Sequence, residues 1–197
     1  MRKYIWLPIY FLSICSVLNA QVENNFDGIY GLIKSAAVNA LENVHEKSEI
    51  KINAEFPDDF RVLKNRLIAD LGREYKIIID DENSVSELNF SVGNVNVNYS
   101  EPFRDGFLGS FITERKLLVE GVFFIKENKL ISNSNTFLLT KTDTLEYDDL
   151  LSYENNALGF TKGNRPEEPM FSTLLEPAVV MGTAIVTVIL FFTVRSN

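Results

Sequence analysis

Residues that do chemistry usually announce themselves as histidines, cysteines or grouped acids, and this chain has few. His45 is its single histidine. It falls at the predicted end of an N-terminal helix, where an imidazolium favours the negative pole of the helix dipole. To act as a general base it needs a nucleophile or carboxylate within hydrogen-bond reach, and the sequence places none beside it. Cys15 is the only cysteine, so a zinc site built from Cys and His lacks ligands. Acids gather at Asp80-Asp81-Glu82 and at Asp143, Glu146, Asp148 and Asp149. Oxygen ligands in such groups can hold calcium. The glycine at the sixth position of a calcium loop is missing, however, and turn and helix-start chemistry accounts for both groups. A hydrolase with paired carboxylates depends on their separation in space, which spacing along the chain does not fix. There is neither a Gly-x-Ser-x-Gly elbow nor a phosphate-binding glycine loop. These observations lead us to expect no catalytic residue, no metal and no cofactor. A carboxylate-based hydrolase and a small-ligand or cation sensor stand as the competing readings.

One stretch is apolar where a loop is expected. Pro102 to Ile112 reads PFRDGFLGSFI, with Gly106 and Gly109 making it bendable. An apolar loop covers a core, meets a partner or touches lipid. Phe103, Phe107, Leu108 and Phe111 are therefore the candidate interaction residues, with a cover over the core as the plainer alternative.

The elements that must position this loop lie between two apolar ends. Met1-Arg2-Lys3 opens a hydrophobic run, Tyr4 to Leu18, that reads as a secretory signal peptide over 1–20, cleaved after Ala20. An uncleaved signal anchor and a lipoprotein signal at Cys15 are the alternatives, and the bulky Ile14 counts against the second. At the other end no charge occurs in the 17 residues from Ala178 to Val194. As a helix these would span about 25 Å, and Thr183, Thr187 and Thr193 can each bond back to a carbonyl one turn earlier. The expected organisation is an exported domain at 21–154, a linker at 155–176, a single-pass transmembrane helix at 177–194 and a cytoplasmic tail at 195–197. The body would then be periplasmic or extracellular. A buried C-terminal core helix is the alternative. Ala178 and Gly182 stand four apart, a spacing that lets two spans pack closely and form a homo-oligomer.

Charge restricts the partners. The formal net charge is −8, and −10 once Arg2 and Lys3 leave with the signal. Nucleic acid and anionic lipid are excluded as bulk electrostatic partners, which favours a protein partner in the cell envelope. The mature chain can form no internal disulfide.

The body reads as helix, strand, helix, strand and then an antiparallel meander. Apolar residues from Phe26 to Val44 make one helical stripe, capped by Asn25 or Asp27 and weakened early by Gly28 and Gly31. Glu49–Ala54, a helix after Pro57, and Tyr75–Ile79 form a parallel β-α-β unit. Leu88, Phe90 and Val92 alternate, then slip phase across Gly93-Asn94, as at a β-bulge or a turn into a new strand. Leu117–Ile125 is apolar on both faces except Glu120, which suggests a central strand. The turn Lys126–Lys129 leads to a return strand with Ile131, Phe137 and Leu139 on one face. Leu145–Tyr153 closes as a short helix with Leu150 and Leu151 inward, and Asn155–Pro169 reads as a tether. The fold class is α+β, a β-α-β unit followed by an antiparallel meander with helices on one face, plus the C-terminal span.

The helix-strand run LKNRLIADLGREYKIII and the hairpin KLLVEGVFFIKENKLISNSNTFLL resemble, in order and pattern, the exported α/β domains of bacterial envelope assembly and regulator proteins. The kinds meant are the curli secretion protein and the penicillin-binding-protein activator lipoproteins. The resemblance covers about residues 49 to 140 and carries no site residue across. The chain departs from those families at both ends, without their lipobox and with an added C-terminal span, so the analogy is one of fold; the leading expectation is a non-enzymatic, membrane-held assembly or regulatory partner.

Overall fold

The computed structural model describes residues 22–44, 50–78, 86–106, 109–167 and 172–194. The expected signal peptide, His45, Asp80-Asp81-Glu82, Phe107, Leu108 and the tail after Val194 lie outside these residues.

The first helix, α1, runs Asn25–Glu42. Its N-cap is Asn24, whose side chain accepts from the Asp27 amide at 2.8 Å, so the cap stands one residue before the expected Asn25 and three before Asp27. The expected stripe is inward, with Ile29, Ile33, Ala40 and Leu41 fully buried. Gly28 does not delay the helix. A Cβ there would lie 2.4 Å from Leu117 Cδ1, so the glycine lets the first turn rest directly on the sheet.

Strand β1, Ile50–Glu55, leads through a 3-10 turn at Asp58–Phe60 into α2, Arg61–Glu74, and back to β2, Ile77–Ile78. The two strands pair in parallel, as the β-α-β pattern requires. Leu63, Leu67 and Leu71 face inward on α2 as expected. Arg66 does not lie on a purely wet face. It bonds Asp27 at 2.7 Å and covers the Tyr30 ring, and with Tyr30–Asp70 and Lys34–Glu74 it forms a polar seam between the helices.

Strand β3, Ser86–Tyr99, is continuous, and its register shifts between Val92 and Asn94: the phase slip is a β-bulge within one strand. A short β4, Phe103–Arg104, extends the same edge of β5, Phe111–Glu127. Strand β6, Leu130–Glu146, pairs along the other edge of β5. The sheet order is β2-β1-β3-β5-β6, with β1 parallel to β2 and β3 and the rest antiparallel. The fold is a mixed α+β sheet with helices.

One face of this sheet is packed. Ile50, Leu88, Phe90, Leu117, Val119 and Ile125 form a single core with α1 and α2. Gly121 sits on that face, where a Cβ would meet the Phe137 ring at 2.4 Å. Its bare backbone lets Phe137 reach across and stack on Phe90, with ring centroids 5.2 Å apart. The other face is open. β5 is central in its pairing, as expected, but is not covered on both sides, and Val122 is 46% exposed. Ile131 does not share a face with Phe137 and Leu139. A register shift at the hairpin end sets it opposite Lys126 on the open side.

The closing helix is a 3-10 turn, Tyr147–Ser152, that buries Leu150 and leaves Leu151 exposed, contrary to the inward place expected for both. The expected tether is corrected over its described part. Residues 155–166 form a strap against the body: Phe160 packs edge-on to Phe60 at 5.2 Å, and Thr161 is fully buried. Asn98 bridges to Asn164, and the Tyr147 hydroxyl donates to the Pro166 carbonyl at 2.9 Å. Aromatic packing and side-chain bonds to main-chain groups, none of which shows as periodicity, fix this segment.

The last helix, α3, runs Ser172–Val194 and is exposed from Ala178 to Thr193. Its threonine hydroxyls bond back as expected, Thr183 to Val180 O at 2.9 Å, Thr187 to Thr183 O at 2.8 Å and Thr193 to Ile189 O at 2.8 Å. Among the described residues no helix is long and apolar enough to cross a membrane. The helix expected at 177–194 is therefore present, but its passage through a bilayer is not established by it.

Candidate functional site

Strand β5 places odd-numbered residues on the packed face. Counting back from Leu117 brings Thr113 and Arg115 into that face, and both are fully buried. A buried guanidinium is costly unless its donors are met. Arg115 Nε donates to Asp143 Oδ1 at 2.8 Å, and Nη2 donates to Asp143 Oδ2, across the β5–β6 register pair. Nη1 donates to the Glu23 carbonyl at 2.9 Å and to Asn25 Oδ1 at 2.7 Å.

Asn25 carries the network onward. Its Nδ2 donates to the Tyr99 hydroxyl at 2.8 Å and to the Thr161 carbonyl at 2.7 Å. Tyr99 donates in turn to Glu154 Oε1 at 3.1 Å, which also accepts from the Gly163 amide at 2.9 Å. Burial and the nearby Glu154 carboxylate push the Tyr99 hydroxyl up to about 12. The network thus ties the start of α1, three strands and the strap at one point. Asp143 serves this hub, which separates it from Glu146, Asp148 and Asp149. Among the described residues no group of three or more His, Cys, Asp or Glu is placed to hold a metal ion.

An open groove of about 670 Å³ lies beside the hub, lined by Val22, Glu23, Asn24, Asp27, Ser152 and Tyr153. A smaller one of about 280 Å³ shares Asn24, Ser152 and Tyr153 and adds Glu154 and Asn155. The carboxylates of the larger groove are committed, Glu23 to Lys141 and Asp27 to Arg66.

The expected docking residues separate. Phe103 is 51% exposed and pairs with Ile112 on the open face. Phe111 turns to the other face, half-buried under the Arg104 guanidinium at 4.6 Å and packed with Leu145, Tyr147 and Leu150. Ala178 and Gly182 lie on α3, and Gly182 has open space around it. From the sequence Asp143 is legible only within an acid cluster and Asn25 only as a helix cap, and Arg115, Tyr99 and Glu154 are not singled out. Their signal was a charge in phase with an apolar stripe: Arg115 with Leu117 and Val119, and Asp143 with Leu139 and Leu145.

No protein-family profile matches this chain, and no curated protein does. Among solved structures, the rare lipoprotein B of Shewanella oneidensis aligns at 12% identity and a TM-score of 0.33, over 74% of this chain and 93% of that one. A minor lipoprotein of Acinetobacter baumannii aligns at 14% identity and a TM-score of 0.34, over 54% and 79%. Both are bacterial lipoproteins. Neither is of the curli-secretion or penicillin-binding-protein activator kind to which the sequence pattern was likened. Likeness at this level carries no argument about function.

Proposed function

We propose that this chain is a non-enzymatic envelope protein whose exported α+β body serves as an assembly or regulatory partner and is held at a membrane by α3. The observation that carries the reading is the one-sidedness of the sheet. α1 and α2 seal one face, while Phe103, Val122, Ile131 and Leu138 stand exposed on the other. Isolated apolar residues on a surface are ordinary, but several on one open sheet face mark a place where something docks.

The anchor is supported by α3 itself. Its exposed residues from Ala178 to Thr193 are apolar, Gly182 and three self-bonded threonines aside, and make about 24 Å of helix. Uncharged Pro177 and Val194 extend that run, and a bilayer accommodates a short span by local thinning. In water such a surface would remain unfavourably exposed.

The test uses the full chain in its native membrane. After carbonate washing the chain should stay in the membrane pellet, and its release would end the anchoring part. A photocrosslinker at Val122 should capture one discrete partner, whereas one at Ser35 on α1 should not. Phe103→Ser should weaken that capture while leaving the melting temperature unchanged. Equal labelling from both positions, or a melting temperature that falls with Phe103→Ser, would overturn the docking part.

A further inference from the structure

Strand β6 is an edge of unusual length. Its 17 residues pair with β5 on one side, and among the described residues nothing pairs with the other. The opposite edge of the sheet ends in β2, with two residues. Natural sheets protect long edges with lysines, prolines or inward charges. From Leu130 to Thr140 β6 has no charge and no proline. Lys141 and Asp143, held on the packed face by Glu23 and Arg115, are charges of that kind and guard only the last part of the strand. The main-chain donors and acceptors left open along such an edge, met by water when it is single, are a ready template for another strand.

We propose that this occupant is β6 of a second copy of the chain, paired antiparallel about a two-fold axis at Leu138. Charge selects this alignment. The hairpin end of β6 carries Lys129, with Lys126 already paired to Glu87 and Glu127 next to it, and the other end carries Glu146 with Asp148 and Asp149 just beyond. Antiparallel pairing over the whole strand brings Lys129 of each copy beside the acidic end of the other, twice. The axis falls on Leu138, 63% exposed on the open face, which meets its own counterpart there. The full ladder supplies about one main-chain hydrogen bond per residue, above the ten or so of a standard interface. The pairing depends on the body alone and stands whether or not α3 spans a bilayer.

The full chain in nanodiscs, in a Cys15→Ser background, tests it. Directly opposed residues of an antiparallel pair lie about 4.5–5.5 Å apart between Cα atoms, within disulfide reach. Leu138→Cys should oxidise to a covalent dimer, and Ser35→Cys should not. Leu138→Lys should weaken the dimer at least tenfold with an unchanged circular-dichroism melt. Lys129→Glu should also weaken it, and Lys129→Glu with Glu146→Lys should restore it. Within one copy those two side chains stand at opposite ends of a strand of about 58 Å, so the rescue can arise only between copies. A monomeric chain, a dimer insensitive to Leu138→Lys, or a charge swap without rescue would overturn the pairing.

Discussion

Arg115 is buried without exposure, and its four hydrogen bonds reach Asp143 on β6 and Glu23 and Asn25 at the start of α1. Its partner Asp143 is therefore worth more than a surface acid. Asp143→Ala would leave a desolvated guanidinium facing only the Asn25 side chain and the Glu23 carbonyl. Breaking a buried pair in this way costs about 3–5 kcal/mol, read as a lower urea midpoint. The double change Arg115→Met with Asp143→Leu should cost less, because no charge is stranded. Equal losses from the single and double variants would show that shape, not charge, holds the hub. A second expectation concerns alkali. The Tyr99 hydroxyl is pushed up to about 12, and Tyr30 is also raised, first by burial and then by its bond to Asp70. A raised phenol keeps its proton in the folded chain while the unfolded chain begins to lose it near 10. The contribution is complete below pH 10 and falls away as the pH climbs from 10 toward 12 and above. Urea midpoints measured across that range should decline, and Tyr99→Phe should decline less steeply.

At the scale of elements, periodicity decided what was legible. The stripes of α1 and α2 and the alternation of β1, β3 and β5 each follow from a single apolar face, and the slip at Gly93, which reads as a bulge or a turn, is the bulge. What escaped was set by contacts distant in sequence. Ile131 changed face because a second bulge at the hairpin end is masked by uniform Ser and Asn. The strap reads as a tether because it has glycines, prolines and few aliphatics, yet Phe160 lies between Phe26 and Phe60. The candidate site was legible only in part: Phe103 is exposed as a docking residue should be, whereas Phe111 joins a small cluster under Arg104. The strap yields a direct expectation. Phe160→Ala removes its main apolar contact and should open it, so tryptic cleavage at Lys162 should accelerate several-fold while the global melt shifts little. A cleavage rate unchanged by the substitution would mean that the bonds of Asn25 and Glu154 hold the strap without the ring.

At the scale of the whole molecule, the packed strap shortens the link to α3. Pro166 is bound to Tyr147, and α3 begins at Ser172. Five residues lie between them, a reach of at most about 20 Å. The acidic end of the sheet, where Tyr147 follows Glu146, is thereby held near any bilayer that α3 enters. Joining two copies through β6 adds a constraint. Their straps leave from opposite ends of one shared edge, so both anchors enter the same bilayer only when the strands lie along its surface. An unpaired copy has no such restriction and can stand its hairpin away from the membrane, about 58 Å of strand from its foot. Energy transfer from a headgroup dye to labels at Asn128→Cys and Asp148→Cys, in a Cys15→Ser background, separates the two arrangements. Comparable transfer at both sites is expected for the paired chain, because each hairpin lies beside its partner's foot. Leu138→Lys should then reduce transfer at the hairpin and spare it at the foot. Strong transfer at the foot alone, before any such substitution, would describe a body that stands upright and single on its anchor.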